Sequence, residues 1–356
     1  MAIDIRLLKG EEIELANDFF NKIYHTTRTL ENFKWEFLEG PCGPALYVIA
    51  IDTSITCHVE VVGIQCAIPL KLVDVKGTRI LTAKSEDTLI DPAYRGQKIF
   101  EGMYDVLLKE CAKAGIQAIW GFTPARKAFE RISFDIPFQT HQAIMVFNPF
   151  KAYAYLSRLN PQNRLQDKLK IAGLCVLSLL TSLKSLFTIS KVLTIRKVPI
   201  ESKCDLIGRL VPNSSLYFLD FDDDYVSWRI ERNPYNNQYE SYQVLKGDSL
   251  YADVIVNYRE GGLTYIEGLI FAEVLSERDR ADAINQLIHM MRKRSGFIRV
   301  LCFDINPDLK SQEKALRRCG FILLKRGGYF VWKTILPSKL NAHDLFLTRF
   351  FTQGNK

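Results

Sequence analysis

The stretch DTLIDPAYRGQKIF, residues 87–100, decides how this chain reads. An apolar-leaning run ends at Asp91-Pro92, and an Arg-Gly step opens the next segment. There the apolar positions Phe100, Met103, Leu107, Cys111 and Ala114 recur at three- and four-residue steps. That spacing predicts a helix from Ile99, stopped by Gly115. The first N–H groups of a helix lack partners within it, and the helix dipole adds positive potential there. With Gly96 in the turn and Arg95 and Lys98 beside it, the position suits an anion, most simply a phosphate. The plain alternative is an ordinary β-to-α turn carrying a surface arginine. One Gly and one Arg do not decide between the two.

Working outward, IDIRLL (3–8) reads as a strand and EEIELANDFFNKIYH (11–25) as an amphipathic helix. ENFKWEFLEGP (31–41) reads as a short helix stopped by Pro41. ALYVIAID (45–52), VEVVGIQCAIPLKLV (59–73) and ILTAKSEDTLI (80–90) are strand-like. After the helix from Ile99 come a buried strand, IQAIWGF (116–122), and a helix, PARKAFERIS (124–133). QAIMVFNPF (142–150) is expected to close this unit as a strand, giving residues 1–150 as one mixed α/β domain.

The rest repeats that outline. FKWEFLEGP (33–41) is echoed by VSWRIERNP (226–234), each with Trp six residues before Pro. LLKECAKAGIQAIWGF (107–122) is echoed by IHMMRKRSGFIRVLCF (288–303), and AFERISF (128–134) by ALRRCGF (315–321). Three matches in one order predict two copies of one fold, the second over 201–337 and followed by a tail, 338–356. Between the copies, 151–200 reads as a helical linker. Its Leu-rich part, KIAGLCVLSLLTSLKSLFTISKVLTIRK (170–197), has only 13 uncharged residues in a row, 171–183. A membrane span wants roughly 18 or more. A helix packed between the two domains is expected. A basic-rimmed helix making weak contact with a membrane surface, through Lys168, Lys170, Lys184, Lys191, Arg196 and Lys197, is the sharper reading.

Composition sets outer bounds. A chain of 356 residues, 47% hydrophobic and 24% charged, has core enough for two ordinary domains and is not disordered. The net charge of +7 suits an anionic cofactor, a nucleic acid or an acidic membrane surface alike. The densest basic patch, MRKRSGFIR (291–299), reads as a solvated helix end, so no nucleic-acid partner is expected. The eight cysteines form no CxxC pair and no zinc spacing, and no metal is expected. The N-terminus shows no secretory signal pattern, which points to reduced thiols in the cytoplasm.

IDPAYRGQKIFEGMYDVLLKECAKAGIQAIWGF (90–122) resembles the acetyl-CoA-binding segment of the GNAT N-acetyltransferase superfamily, with its following helix and strand. GFTPARKAFERISF (121–134) is similar to the next element of that family. The whole resembles the larger bacterial GNAT proteins, which have a Trp-containing helix before each half. The resemblance implies tandem domains, each a mixed central sheet flanked by helices, and an acyl-CoA-dependent N-acyltransferase using acetyl-CoA and an amine acceptor. It further implies that Arg95, Gly96, Gln97, Lys98, Ile99 and Phe100 form a pyrophosphate loop. Leu89 and Ile90 would pair their backbones with the pantetheine arm. Two positions depart from the pattern: Lys98 and Phe100 stand where the family prefers small residues. The matching stretch of the second half, SERDRADAINQ (276–286), has no glycine and has two acids, Glu277 and Asp279, at the presumed turn, so that half is expected to be degenerate and to bind no CoA.

The transfer itself needs a base for the amine, a backbone donor for the thioester carbonyl and a proton for the thiolate. Glu86 shares a strand face with Thr88 and Ile90 and is the candidate base, with Asp87 expected on the opposite face. The family's usual acidic Tyr falls on Phe129, which cannot donate a proton, so Tyr94, Tyr104 or a water must substitute, or the chemistry is absent. His141 is a further conceivable base. DFDDD (220–224) reads as the acidic cap of the Trp228 helix rather than a metal site. WRIERNPYNNQYESY (228–242) suits a polar acceptor, for example an amino sugar, or a domain edge. Two other readings fit: a Fem-type aminoacyl-tRNA-dependent transferase, and a non-catalytic membrane-associated binding protein.

Overall fold

The computed structural model describes residues 2–159, 164–186, 192–303, 310–324 and 328–352. The first half runs β1 (Ile3–Leu7), α1 (Ile13–Tyr24), α2 (Leu30–Phe37), β2 (Leu46–Asp52), β3 (Glu60–Val73) and β4 (Arg79–Ile90). It continues with α3 (Ile99–Lys113), β5 (Ala118–Thr123), α4 (Arg126–Arg131), β6 (Asp135–Gln139) and β7 (His141–Val146). Helices α5 (Pro149–Arg158) and α6 (Leu165–Ser182) intervene. The second half runs β8 (Leu193–Val198), α7 (Cys204–Leu210), β9 (Phe218–Leu219), α8 (Asp223–Val226, extended by a wider turn at Ser227–Glu231), β10 (Gln238–Lys246) and β11 (Ser249–Tyr258). After these come β12 (Leu263–Phe271), α9 (Glu277–Arg292), β13 (Phe297–Phe303), α10 (Lys310–Arg318), β14 (Ile322–Leu324) and β15 (Tyr329–Thr334).

Apart from β9, the halves match element for element, and each builds a mixed sheet covered by helices. One sheet has the order β1-β2-β3-β4-β5-β15-β6 and the other β8-β10-β11-β12-β13-β7-β14. The orders are the same except that β7 and β15 have changed places. The expectation that 142–150 completes the first unit is therefore corrected: β7 lies between β13 and β14, and β15 lies between β5 and β6. One residue, Thr140, separates β6 from β7, whereas the tightest ordinary hairpin needs about two. The chain cannot fold back beside β6 and crosses to the other sheet instead. The two crossings meet where both the N–H and the hydroxyl of Thr140 donate to the Gly328 carbonyl, 3.1 Å each.

A second contact expresses the same internal symmetry. Trp35 and Trp228 stack at 5.3 Å and 22°, and each indole N–H donates to the other's backbone carbonyl at 2.8 Å. Such reciprocity, i to j and j to i, is the signature of a two-fold contact. The Trp-to-Pro repeat of the sequence is the trace of this pair.

The linker reading needs two corrections. Residues 193–198 are the edge strand β8, with Arg196 bonded to Gln243 and Lys197 to Glu240, so neither cation rims a helix. Lys191 lies outside the described residues. Nor does α6 bridge two domains: it packs on the second sheet, where Ser178 Oγ accepts from Val146 N–H (3.0 Å) and Thr181 Oγ1 donates to the Gly320 carbonyl (2.8 Å). Among the described residues, no helix is long and apolar enough to cross a membrane.

Candidate functional site

Strands β4 and β5 run parallel but pair only at Ala83–Ile119 and Lys84–Trp120. Beyond that they part at Ser85 and Gly121. A Cβ on Gly121 would stand 3.1 Å from the Ser85 carbonyl oxygen, so glycine lets the strands stay close up to the fork. The fork is caused by a bulge. The register of β4 on β3 slips between Ile64–Leu89 and Cys66–Glu86, and Asp87 adopts a left-handed φ of 50°. The result is a cleft of about 130 Å³ lined by residues 85–88 of β4, 121–124 beginning in β5, Tyr24 and Phe129.

The bulge overturns the expectation that Asp87 faces away from Glu86, because an extra residue resets the alternation of the strand. Both residues line the cleft. The buried Asp87 carboxylate accepts from Arg28 Nη1 (2.7 Å) and the Tyr47 hydroxyl (3.0 Å). Arg28 is fixed in turn by Asn17 Oδ1 (2.8 Å) and lies over the Phe20 ring at 3.7 Å. Burial opposes the Arg28 charge, but Asp87, Tyr47 and Glu36 outweigh it and hold its pKa above the ordinary value. Glu86, part-exposed, pairs with the buried Lys84 ammonium at 2.7 Å. Burial draws the Lys84 pKa down, and Glu86 resists. The phenol of Tyr24 is pushed up by burial and then by Asp87 and Glu86.

The two tyrosines expected to supply a proton are placed differently. Tyr104 is buried against Phe100, Phe129 and Phe134, with its hydroxyl 2.8 Å from Ser85 Oγ and 3.4 Å from Thr88 Oγ1. It does not line the cleft but touches three residues that do, and burial holds its phenol protonated. Tyr94 does not line the cleft either; its hydroxyl donates to Asp52 at 3.0 Å. His141 stands on β7 in the other sheet, 3.9 Å from Glu313.

Just past β4, Asp91 caps a short turn, Pro92–Tyr94, and Gly96 and Lys98 are both left-handed (φ 86° and 61°). Gly102 N–H bonds Lys98 O at 3.0 Å. Ahead of it, the N–H groups of Lys98, Ile99, Phe100 and Glu101 have no carbonyl partner among the described residues. The side chains of Arg95, Gln97 and Lys98 are exposed. Ile99 and Phe100 are buried in the core beneath, so only their N–H groups could meet an anion. Asp91 N–H bonds Val62 O, and alternation then turns the polar groups of Leu89 toward β3 and those of Ile90 toward the open edge. Ile90, not Leu89, has a free backbone edge for a ligand.

The second half lacks both features. At the start of α9, Ser276 Oγ accepts from Asp279 N–H (3.2 Å), and the Asp279 carboxylate accepts from the Ser276 hydroxyl (2.6 Å). The matching fork between β12 and β13, which pair from Leu263–Phe297 to Ile266–Val300, holds the chain's own Thr348–Arg349 segment. There the buried Arg349 guanidinium pairs with the buried Glu267 carboxylate. Elsewhere, Asp222 caps α8 (2.9 Å to Tyr225 N–H), as the cap reading of DFDDD expects, while Asp220 pairs with Arg79 (2.7 Å). Of the aromatic run 228–242, Trp228 is internal, while Tyr235 and Asn236 line a separate groove of about 340 Å³ with Tyr155 and Arg259. Among the described residues, no three His, Cys, Asp or Glu side chains gather as a metal set.

Sequence reasoning missed Tyr24, Ser85, Thr88 and Gly121. Of these only Gly121, a glycine inside a strand pattern, carried a local signal of close backbone approach.

No protein-family model matches the sequence, and no curated protein matches it significantly. Solved structures do match the fold. A GCN5-related N-acetyltransferase from Anabaena variabilis superposes with a TM-score of 0.59 at 11% identity, over 94% of this chain and 73% of that one. Saccharomyces cerevisiae N-myristoyltransferase with bound myristoyl-CoA gives 0.57 at 12% identity, over 97% and 82%. A tandem GNAT protein of clavulanic acid biosynthesis gives 0.50 at 10%, over 95% and 100%. The chain therefore has the tandem GNAT fold, two mixed sheets flanked by helices.

Proposed function

We propose that the chain is an acyl-CoA-dependent N-acyltransferase whose first half binds the donor and whose second half is a degenerate copy. The observation that carries this reading is the asymmetry between the halves. In the first, an open fork lies beside a helix start with unpartnered N–H groups; in the second, both places are filled by the protein itself. The N–H groups of 98–101, with Arg95 and Lys98, would hold the pyrophosphate, and the free edge at Ile90 would hold the pantetheine arm.

In the reaction an amine nitrogen bonds to the thioester carbonyl carbon and the C–S bond breaks. Glu86, paired with Lys84 at 2.7 Å, accepts the amine proton. Tyr24 holds its proton for the departing thiolate, and Tyr104 positions the hydroxyls of Ser85 and Thr88. Phe129 only closes the wall. We assign acetyl as the acyl group, the donor that the resemblance of residues 90–122 to an acetyl-CoA-binding segment implies. An amino sugar is our proposed acceptor, and the unpaired cysteines fit the reducing cytoplasm.

Calorimetry with acetyl-CoA tests the reading. Wild type should bind in the micromolar range, and Gly96→Asp should bind at least ~10-fold more weakly. Arg95→Glu, which leaves the left-handed turn untouched, should do the same. Absence of binding by the wild type, or full binding by both variants, defeats the assignment.

A further inference from the structure

Helix α6 buries small and polar residues, holds Ile171, Leu174 and Leu179 half-buried beside them, and carries its other large apolar residues outward. Cys175, Ser178 and Ser182 are buried against the second sheet, whereas Leu165, Leu169, Val176, Leu177, Leu180 and Leu183 are exposed. Those six cover neighbouring directions on the helix, forming one stripe on the outer face, about 27 Å long at 1.5 Å per residue. The orientation is locked. Ser178 and Thr181 are hydrogen-bonded inward, and a Cβ on Gly320 would fall 2.3 Å from the Thr181 carbonyl oxygen. The helix cannot roll to bury its leucines without breaking that contact.

Charge identifies what covers the stripe. Between residues 149 and 186 the sequence has six cations, Lys151, Arg158, Arg164, Lys168, Lys170 and Lys184, and one acid, Asp167. Most of the net charge of +7 is thus gathered on the α5–α6 hairpin. An apolar stripe with lysines at both ends matches the surface of an anionic bilayer, whose acyl region takes the leucines and whose headgroups take the cations. A second copy of the same face would bring like charges together.

We propose that α6 docks this protein, lying flat, on the surface of anionic phospholipid membranes. The docking stands independently of the acyl-transfer reading. Vesicle flotation with the full chain tests it, comparing phosphatidylcholine alone with phosphatidylcholine containing phosphatidylglycerol. Wild type should float with the anionic vesicles only, and raised salt should weaken the association. Val176→Glu/Leu180→Glu should lower binding at least ~10-fold with an unchanged melting temperature, since both side chains are more than half exposed. Lys168→Glu/Lys170→Glu, at the rim, should weaken it through charge alone. The proposal is overturned if wild type ignores anionic vesicles at low salt or if the double glutamate variant still floats. It is equally overturned if sedimentation velocity shows a dimer that the glutamate variant dissolves, for then the stripe belongs to a second copy.

Discussion

Replacing Arg28 by Met tests whether the bulge at Asp87 is held by the pair beneath it. The substitution keeps most of the stem volume over Phe20 but removes both the Asp87 bond (2.7 Å) and the Asn17 bond (2.8 Å). Both partners of the pair are buried, with about 4% and 3% of their side chains exposed, so Asp87 would be left without its cation. Breaking such a pair from one side costs about 3–5 kcal/mol. The surviving Tyr47 hydroxyl, 3.0 Å from Asp87, favours the lower end, about 3 kcal/mol. With an unfolding entropy of about 2.1 cal/mol/K per residue over 356 residues, that is roughly 4 °C in Tm. Asp87→Asn keeps a residue type that tolerates left-handed backbone, and so removes charge without disturbing the bulge. The double variant should lose less than the two single losses combined, by about 1–3 kcal/mol of coupling. Urea unfolding of the four proteins gives the cycle. A loss below about 1 kcal/mol for Arg28→Met, or strict additivity, would refute the reasoning.

Three further outcomes are expected. Lys98→Gly should relieve a left-handed backbone that costs a side-chain-bearing residue about 1 kcal/mol, raising Tm slightly while acetyl-CoA binding weakens a few-fold through the lost cation; calorimetry and melting separate the two effects. Trp35→Phe and Trp228→Phe each orphan one buried carbonyl, so each should cost about 1–3 kcal/mol, and clearly unequal losses in urea titrations would argue against the reciprocal contact. Glu240 is penalised by burial, yet Lys197, Tyr242 and Arg294 hold its carboxyl at about 2. Its folded pKa thus lies below the unfolded one, so its stability contribution is full above about pH 4.5 and is lost as pH falls toward about 2. Melting curves of wild type and Glu240→Gln should accordingly converge in acid.

Much of the fold was legible because local chemistry and tertiary need agree. The three- and four-residue spacing after Ile99 became α3, Gly115 stopped it in a left-handed turn, and the Trp repeat marked a real contact. What was hidden lies beyond local pattern. β7 and β15 carry continuous apolar runs, AIMV and YFVW, that suit either sheet, so periodicity cannot assign them; only the single-residue connection at Thr140 bears on it. Asp87 reads as one more strand residue, because a bulge changes the face without changing composition. The apolar run of α6 suggested a buried leucine face, yet close approach to Gly320 demanded small residues there instead.

The exchange of β7 and β15 also constrains biosynthesis. The strand that flanks β5 on the side away from the cleft is residues 329–334, made some two hundred positions after β5 itself. While the chain emerges from the ribosome, the donor-binding half has an unpaired sheet edge until that late segment appears. The half that carries the candidate chemistry thus waits for a strand made near the end of the chain, and a nascent chain arrested before residue 329 would hold a fork with one wall unsupported.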